Sequence, residues 1–131
     1  MLGTSNEEKT MGKLSLIIKE AQSLDPLYQE AILKSQNVKL IYQLAQRRDL
    51  DYGVSCLIYE KYAHIDQILL ALAKNPTTHL SLLEKMMKSP LVEVRRALVI
   101  NPSIPRTVLR NIFYYDKDFI VRKLARQVTG N

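Results

Sequence analysis

The sequence has few of the residues on which small catalytic and metal-binding sites depend. It contains one Cys and no Trp, and its two His, His64 and His79, lie beside no Asp or Glu at metal-ligand spacing. A single Cys excludes an internal disulfide and any site with several Cys ligands. The four Gly residues form no phosphate-binding loop, and no Ser–His–Asp order stands out. We therefore expect no enzyme activity, no cofactor and no metal site.

Long apolar runs are also missing. The best candidate for a secretion signal, residues 14–18, is short and is followed by Lys19 and Glu20. No apolar run approaches the roughly 20 residues that a membrane-spanning helix needs. We therefore expect a cytoplasmic protein that does not associate with membranes.

Residues 71–125 contain two copies of one pattern. Ala-Leu-Ala-Lys-Asn-Pro at 71–76 returns as Ala-Leu-Val-Ile-Asn-Pro at 97–102, an offset of 26 residues. Val-Arg-Arg at 94–96 returns as Val-Arg-Lys at 121–123, an offset of 27. A period of this length is typical of repeat proteins. Each copy has two apolar stripes at helical spacing, which predicts a pair of helices that must stack on other pairs to bury those stripes.

The motifs at 101–103 (Asn-Pro-Ser), Pro105 and 94–98 (Val-Arg-Arg-Ala-Leu) resemble HEAT-like repeats, most of all the leucine-rich repeat variant of bacteria. The resemblance implies an all-α fold, a short right-handed α-solenoid of stacked helix pairs with about 7–9 helices. Two chemistries found on similar repeats fit badly. HEAT-like DNA glycosylases use Trp among their base-recognising residues, and the iron–sulfur variants need several Cys.

We predict a flexible N-terminal tail over residues 1–12, which have little to bury, followed by a single domain over residues 13–131. The repeat register predicts nearly complete burial of a set of apolar residues: Leu83, Ala97, Leu98, Leu109, Ile112 and Leu124.

The interval from Val54 to Asn75 has no Gly or Pro, and its apolar residues fit one helical face. It is either two helices, with Asp66 as a cap, or one helix of about six turns. Val54 lies 40 residues before Val94, and we align the two in a faint third copy of the repeat. Because one long helix keeps the alternation of layers in that register, we favour it and expect its extra length to project.

Positive charge is concentrated in the second half of the chain. Residues 1–66 hold 8 Lys/Arg and 9 Asp/Glu, whereas residues 67–131 hold 11 and 4. Arg95 and Arg122 share one repeat position, and in HEAT-like repeats this Arg commonly hydrogen-bonds the turn of a neighbouring repeat. The other cations are explained equally well by an ordinary solvated surface and by a binding surface. The candidate partner-binding residues are Arg95, Arg96, Arg106, Arg110, Tyr114, Tyr115, Arg122, Lys123 and Arg126.

These residues support two functions. The first is a small adaptor or scaffold that binds an acidic protein partner, because helical repeats create an extended surface for binding. The alternative is nucleic-acid binding through phosphate contacts made by the same cations. The sequence gives neither the partner's identity nor the oligomeric state.

Overall fold

The computed structural model describes residues 2–130, and the side chains of residues 6–130. This part of the chain is all-α and has no strand. Nine helices lie within it: α1 (Leu2–Glu20), α2 (Pro26–Lys34), α3 (Val38–Ala45), α4 (Tyr52–Tyr62), α5 (Asp66–Lys74), α6 (Leu80–Met86), α7 (Val92–Ile100), α8 (Arg106–Tyr115) and α9 (Phe119–Val128).

The helices alternate between two layers. Helices α1, α3, α5, α7 and α9 form one row in which each helix contacts the next, and α2, α4, α6 and α8 lie along the other side. The pairs α6–α7 and α8–α9 correspond to the two copies seen in the sequence. Helix α7 packs on its partner α6 and on α5 and α9 of the neighbouring pairs, and stacking of this kind gives short repeats a core. The predicted all-α arrangement of stacked helix pairs is confirmed.

The prediction of one long helix over residues 54–75 is wrong. Helix α4 ends at Tyr62, and the backbone N–H of Ile65 donates to the Tyr62 carbonyl 3.0 Å away in a tight turn. Asp66 is the first residue of α5, where its negative charge is stabilised by the positive end of the helix dipole. No Gly or Pro is needed for this turn. Val54 opens a helix of the α2–α4–α6–α8 layer, so its match to Val94 is also wrong, and alternation is kept without a projecting helix.

The predicted tail boundary at residue 12 does not coincide with a break in the backbone. Helix α1 runs from Leu2 to Glu20. The side chains of residues 6–10 are exposed, as expected for a segment with little to bury, and Met11 packs partly against the core. Met1 lies outside the described residues.

The predicted core is largely confirmed. Leu83, Leu98 and Ile112 are almost completely buried, and Ala97 and Leu109 are also buried. Leu124 is only partly buried, so the prediction is wrong for this residue. Leu124 belongs to α9, which no described helix follows in its row.

Two Asn side chains connect successive helices of the α1–α9 row. Asn101, directly after α7, donates from Nδ2 to the carbonyls of Ala73 and Asn75, at 2.8 and 3.1 Å. Asn75, directly after α5, donates in the same way to the carbonyls of Ala45 and Arg47, at 2.8 and 2.7 Å. The last carbonyls of a helix have no partner within the helix. Each Asn therefore caps the end of the preceding helix in the row, which explains why Asn-Pro repeats.

The N-terminal junction uses Arg47 instead of Asn. Its guanidinium donates to the carbonyls of Ile18 and Ala21 at the end of α1, at 2.6 and 2.9 Å. It also pairs with Asp49, whose nearest oxygen is 2.7 Å from Nε. Gln29, fully buried, donates to the Leu24 carbonyl at 2.8 Å and accepts from the N–H of Asp51 at 2.8 Å. The loops before α2 and α4 are thereby fixed to each other.

Candidate partner-binding surface

Arg95 is a structural residue at the centre of the C-terminal repeats. Its side chain is only 5% exposed, and its Nε lies 2.9 Å from a carboxylate oxygen of Asp116, which is 3% exposed. A second nitrogen, Nη1, donates to the carbonyl of Ser89 at 2.7 Å. The ion pair joins α7 to the turn of the following helix pair. Arg95 is therefore buried and adds nothing to the exposed basic surface, although the sequence made it a candidate.

Arg122 holds the corresponding position in α9, and only part of its guanidinium is hydrogen-bonded. Its Nη1 donates to the carbonyl of Asp116 at 2.6 Å, just as Arg95 donates to Ser89. Its guanidinium carbon lies 5.8 Å from the centre of the Phe119 ring. Within residues 6–130 no carboxylate is close enough to pair with it. The contact with the turn in its own repeat agrees with a structural role, while the rest of the guanidinium stays open.

Five further cations of the predicted set are exposed. They lie on α7, α8 and α9, three helices that contact one another. None of the five forms an ion pair with a described residue. The residues are Arg96, Arg106, Arg110, Lys123 and Arg126. We call these five residues, together with Arg122, the basic surface.

The acidic residues nearest in sequence leave the basic surface unneutralised. Asp116 is occupied by Arg95, and its other oxygen accepts the N–H of Asp118 at 2.9 Å. Asp118 is the N-cap of α9 and accepts the N–H of Val121 at 3.0 Å. Residues 92–130 hold eight Lys/Arg and three Asp/Glu, and of those three only Glu93 is exposed. The positive field of this region is therefore directed outward, where it attracts acidic partners.

Two exposed tyrosines end α8 beside the basic surface. Tyr114 is 63% exposed and Tyr115 is 78% exposed, so neither ring closes the core. Tyr114 stacks on Phe113 with 4.7 Å between ring centres. A groove of about 270 Å³ runs beside this stack and is lined by Arg106, Arg110, Phe113, Tyr114 and Thr129. Exposed aromatic rings next to arginines are typical of the residues that anchor interfaces.

The two histidines lie at the surface of the fold. Both are exposed, and His79 accepts the N–H of Ser81 through Nδ1 at 3.1 Å as the N-cap of α6. Across the described part of the chain, no three His, Cys, Asp or Glu side chains are grouped so that they could hold a metal ion. Nor does any described helix combine the length and apolar character that crossing a membrane requires.

Sequence reasoning missed the residues that join the repeats. Asn75 and Asn101 were visible as part of a repeated motif, and that repetition was the available signal for their capping role. Arg47 and Gln29 gave no such signal, because neither belongs to a repeated motif and each bonds at least one carbonyl that lies 20 or more residues away along the chain. Asp116 was visible only as part of a break between helices.

No protein-family model, no characterised protein and no solved structure matches this chain.

Proposed function

We propose that this chain is a non-catalytic binding module, a short HEAT-like α-solenoid that acts in the cytoplasm as an adaptor or scaffold. Its basic surface on α7–α9 binds an acidic protein partner. The observation that carries this proposal is the set of five exposed cations without a described ion-pair partner, beside carboxylates that are already engaged within the fold. Charge of this kind mainly sets the rate and the specificity of association.

The exposed aromatic residues favour a protein partner. Tyr114 and Tyr115 project from the end of α8 and offer apolar surface for burial in an interface. Nucleic acid is the alternative, since the same cations would contact phosphates and the tyrosines would stack on bases. The two functions differ in their salt dependence, because nucleic-acid binding weakens steeply with salt across many sequences.

The test is a pull-down from native cell extract, with and without nuclease treatment. The bait is the chain itself and the variant Arg96→Glu with Lys123→Glu. We expect the double variant to lose the bound protein, while its free energy of unfolding changes by less than about 0.5 kcal/mol, as is usual for exposed positions. Lys13→Glu with Lys39→Glu is the matched control, since it makes the same charge change on exposed residues of α1 and α3.

Two results would contradict the proposal. Normal capture by the Arg96 and Lys123 double variant would mean that the basic surface is only a solvated surface. Loss of all captured material after nuclease treatment, with a steep salt dependence, would establish the nucleic-acid alternative.

A further inference from the structure

The side of α9 that faces away from α7 is uncovered by any described residue. In the same row α7 is covered by α9, and Val99 of α7 is completely buried. The residue 27 positions later is Arg126, which is exposed. In the same way, buried Arg95 corresponds to half-buried Arg122. In the last described helix, α9, two positions that are buried in α7 are therefore partly or fully exposed.

The Arg95 site shows what the Arg122 site can bind. Arg95 uses one nitrogen for the carbonyl of the turn before its helix and Nε for the carboxylate of Asp116 in the next helix pair. Arg122 makes the first of these contacts, and its Nε has no hydrogen-bond partner among the described residues. A guanidinium that is held by one bond and open on another edge is already oriented for a carboxylate.

We propose that the uncovered side of α8 and α9 docks an α-helical protein, which presents an aspartate from a turn between two helices to Nε of Arg122. This aspartate takes the role that Asp116 has toward Arg95. The proposal depends on the proposed function and specifies the chemistry of its partner.

The geometry of Asp116 explains why the ligand is a turn aspartate of a protein. One oxygen of Asp116 accepts the N–H of Asp118 in its own turn, and the other faces Nε of Arg95. Both bonds form at once because the carboxylate lies in the turn between two helices and is almost completely buried. A phosphate on a flexible, fully solvated backbone does not reproduce this arrangement.

The residues around Arg122 suit a helical and acidic partner. Phe119, 64% exposed, lies beside the guanidinium and offers apolar surface to a packing helix. On α8, the groove beside Tyr114 continues the same uncovered side. Arg106, Arg110 and Arg126 surround these apolar residues with positive charge, which favours acidic residues around the partner's turn.

The first experiment separates a specific guanidinium contact from general attraction between charges. Arg122→Lys keeps the positive charge but lacks Nε. Arg126→Lys makes the same change at a position that corresponds to Val99, which pairs with no carboxylate. With the partner captured by the unaltered chain, we expect dissociation constants at least ten-fold higher for Arg122→Lys and less than three-fold higher for Arg126→Lys. Binding is measured at a temperature well below the melting temperature of each variant, so that all three proteins are folded. Equal effects of the two changes would overturn the proposal while leaving the proposed function intact.

The second experiment fills the site with a known occupant. A second copy of residues 101–131 is fused after Gln127, which repeats the 27-residue spacing and places the copied Asp116 opposite Arg122. We expect a higher melting temperature than for the original chain, a smaller rise when the copy carries Asp116→Asn, and loss of partner capture because the docking side is covered.

Three results are decisive against this docking site. Undiminished capture by the extended chain would place the partner elsewhere on the basic surface. An extension that folds without raising the melting temperature, or a wild-type chain that self-associates through Arg122 in size-exclusion chromatography, would also overturn it. Failure of the original chain to capture any protein would instead refute the proposed function on which the inference depends.

Discussion

The two halves of the molecule each contain one arginine–aspartate pair, and the pairs differ in burial. In the C-terminal half, Arg95 and Asp116 are 5% and 3% exposed. In the N-terminal half, Arg47 and Asp49 are 10% and 33% exposed. Both arginines also donate to backbone carbonyls at the end of a neighbouring element. An arginine–aspartate ion pair is therefore buried between repeats in the C-terminal half and partly exposed in the N-terminal half. We call Arg47 and Asp49, with the carbonyls that Arg47 bonds, the N-terminal clamp.

The two halves share one requirement, which is a hydrogen-bond donor for the carbonyls at the end of a helix. Every helix of the α1–α9 row that is followed by another leaves carbonyls at its C-terminal end, and these need donors. Asn101 and Asn75 supply the donors for α5 and α3, and Arg47 supplies them for α1. The ends of α1, α3 and α5 share this need, and the residue that meets it changes from Asn to Arg at the N-terminal junction.

The largest effect is expected at the buried pair. Arg95→Met removes one partner and leaves Asp116 as an uncompensated charge in the interior, which costs about 3–5 kcal/mol of unfolding free energy. Chemical denaturation of the variant and of the wild type measures this loss. Adding Asp116→Asn to Arg95→Met should recover part of it, because the stranded charge is then gone.

Arg122→Met provides the comparison within the same half. Arg122 is half-buried and makes one hydrogen bond, so its loss should cost about 1–3 kcal/mol. Equal losses for Arg95→Met and Arg122→Met would mean that the ion pair with Asp116 contributes nothing to stability.

The next effect is expected at the Asn caps. Asn101→Ala leaves the buried carbonyl of Ala73 without its donor, whereas the carbonyl of Asn75 keeps the N–H of Thr78. We expect a loss of about 1–3 kcal/mol, the cost of one stranded buried group. Asn111→Ala, at an exposed position of α8, is the control and should change stability by less than about 0.5 kcal/mol. Thermal unfolding that does not distinguish the two variants would refute the capping role.

The sequence predicted the C-terminal half well because the Asn-Pro motif that follows α5 and contains a capping Asn recurs after α7. The helix positions and most of the buried apolar residues follow from the 26- and 27-residue offsets. In the N-terminal half, the turn between α4 and α5 contains neither Gly nor Pro, so the prediction of one helix there is wrong. Arg95 contacts the turn of a neighbouring repeat through Asp116, as the resemblance implied, whereas Arg122 bonds the turn of its own repeat.

A smaller effect is expected at the N-terminal clamp. Arg47→Met removes the donors for the carbonyls of Ile18 and Ala21, which are only partly buried and can bond water instead. We expect a loss of about 1–2 kcal/mol in denaturant unfolding, smaller than that for Arg95→Met. Arg48→Met, at the adjacent exposed position, is the matched control and should have almost no effect. A loss as large as that of Arg95→Met would remove the difference between the two halves.

The smallest effect is a pH dependence of stability that comes from Asp49 in the N-terminal pair. The hydrogen bond from Arg47 lowers the pKa of Asp49, desolvation opposes this shift, and the N–H of Leu24 adds to it. A carboxyl group whose pKa is lower in the folded state than in the unfolded state stabilises the fold above its unfolded pKa, near 3.8 for this group. This stabilisation is lost as the pH falls through the lower folded value.

Unfolding free energies of the wild type and of Asp49→Asn, measured from pH 6 down to about 2.5, test this directly. The gap between the two proteins should be constant at the upper end and should close below pH 4. Arg47→Met should flatten the same pH dependence, because it removes the main cause of the lowered pKa of Asp49. If the gap is the same at every pH, the clamp acts through its hydrogen bonds to the carbonyls of α1 alone, and the charge on Asp49 has no part in joining the first helices of the stack.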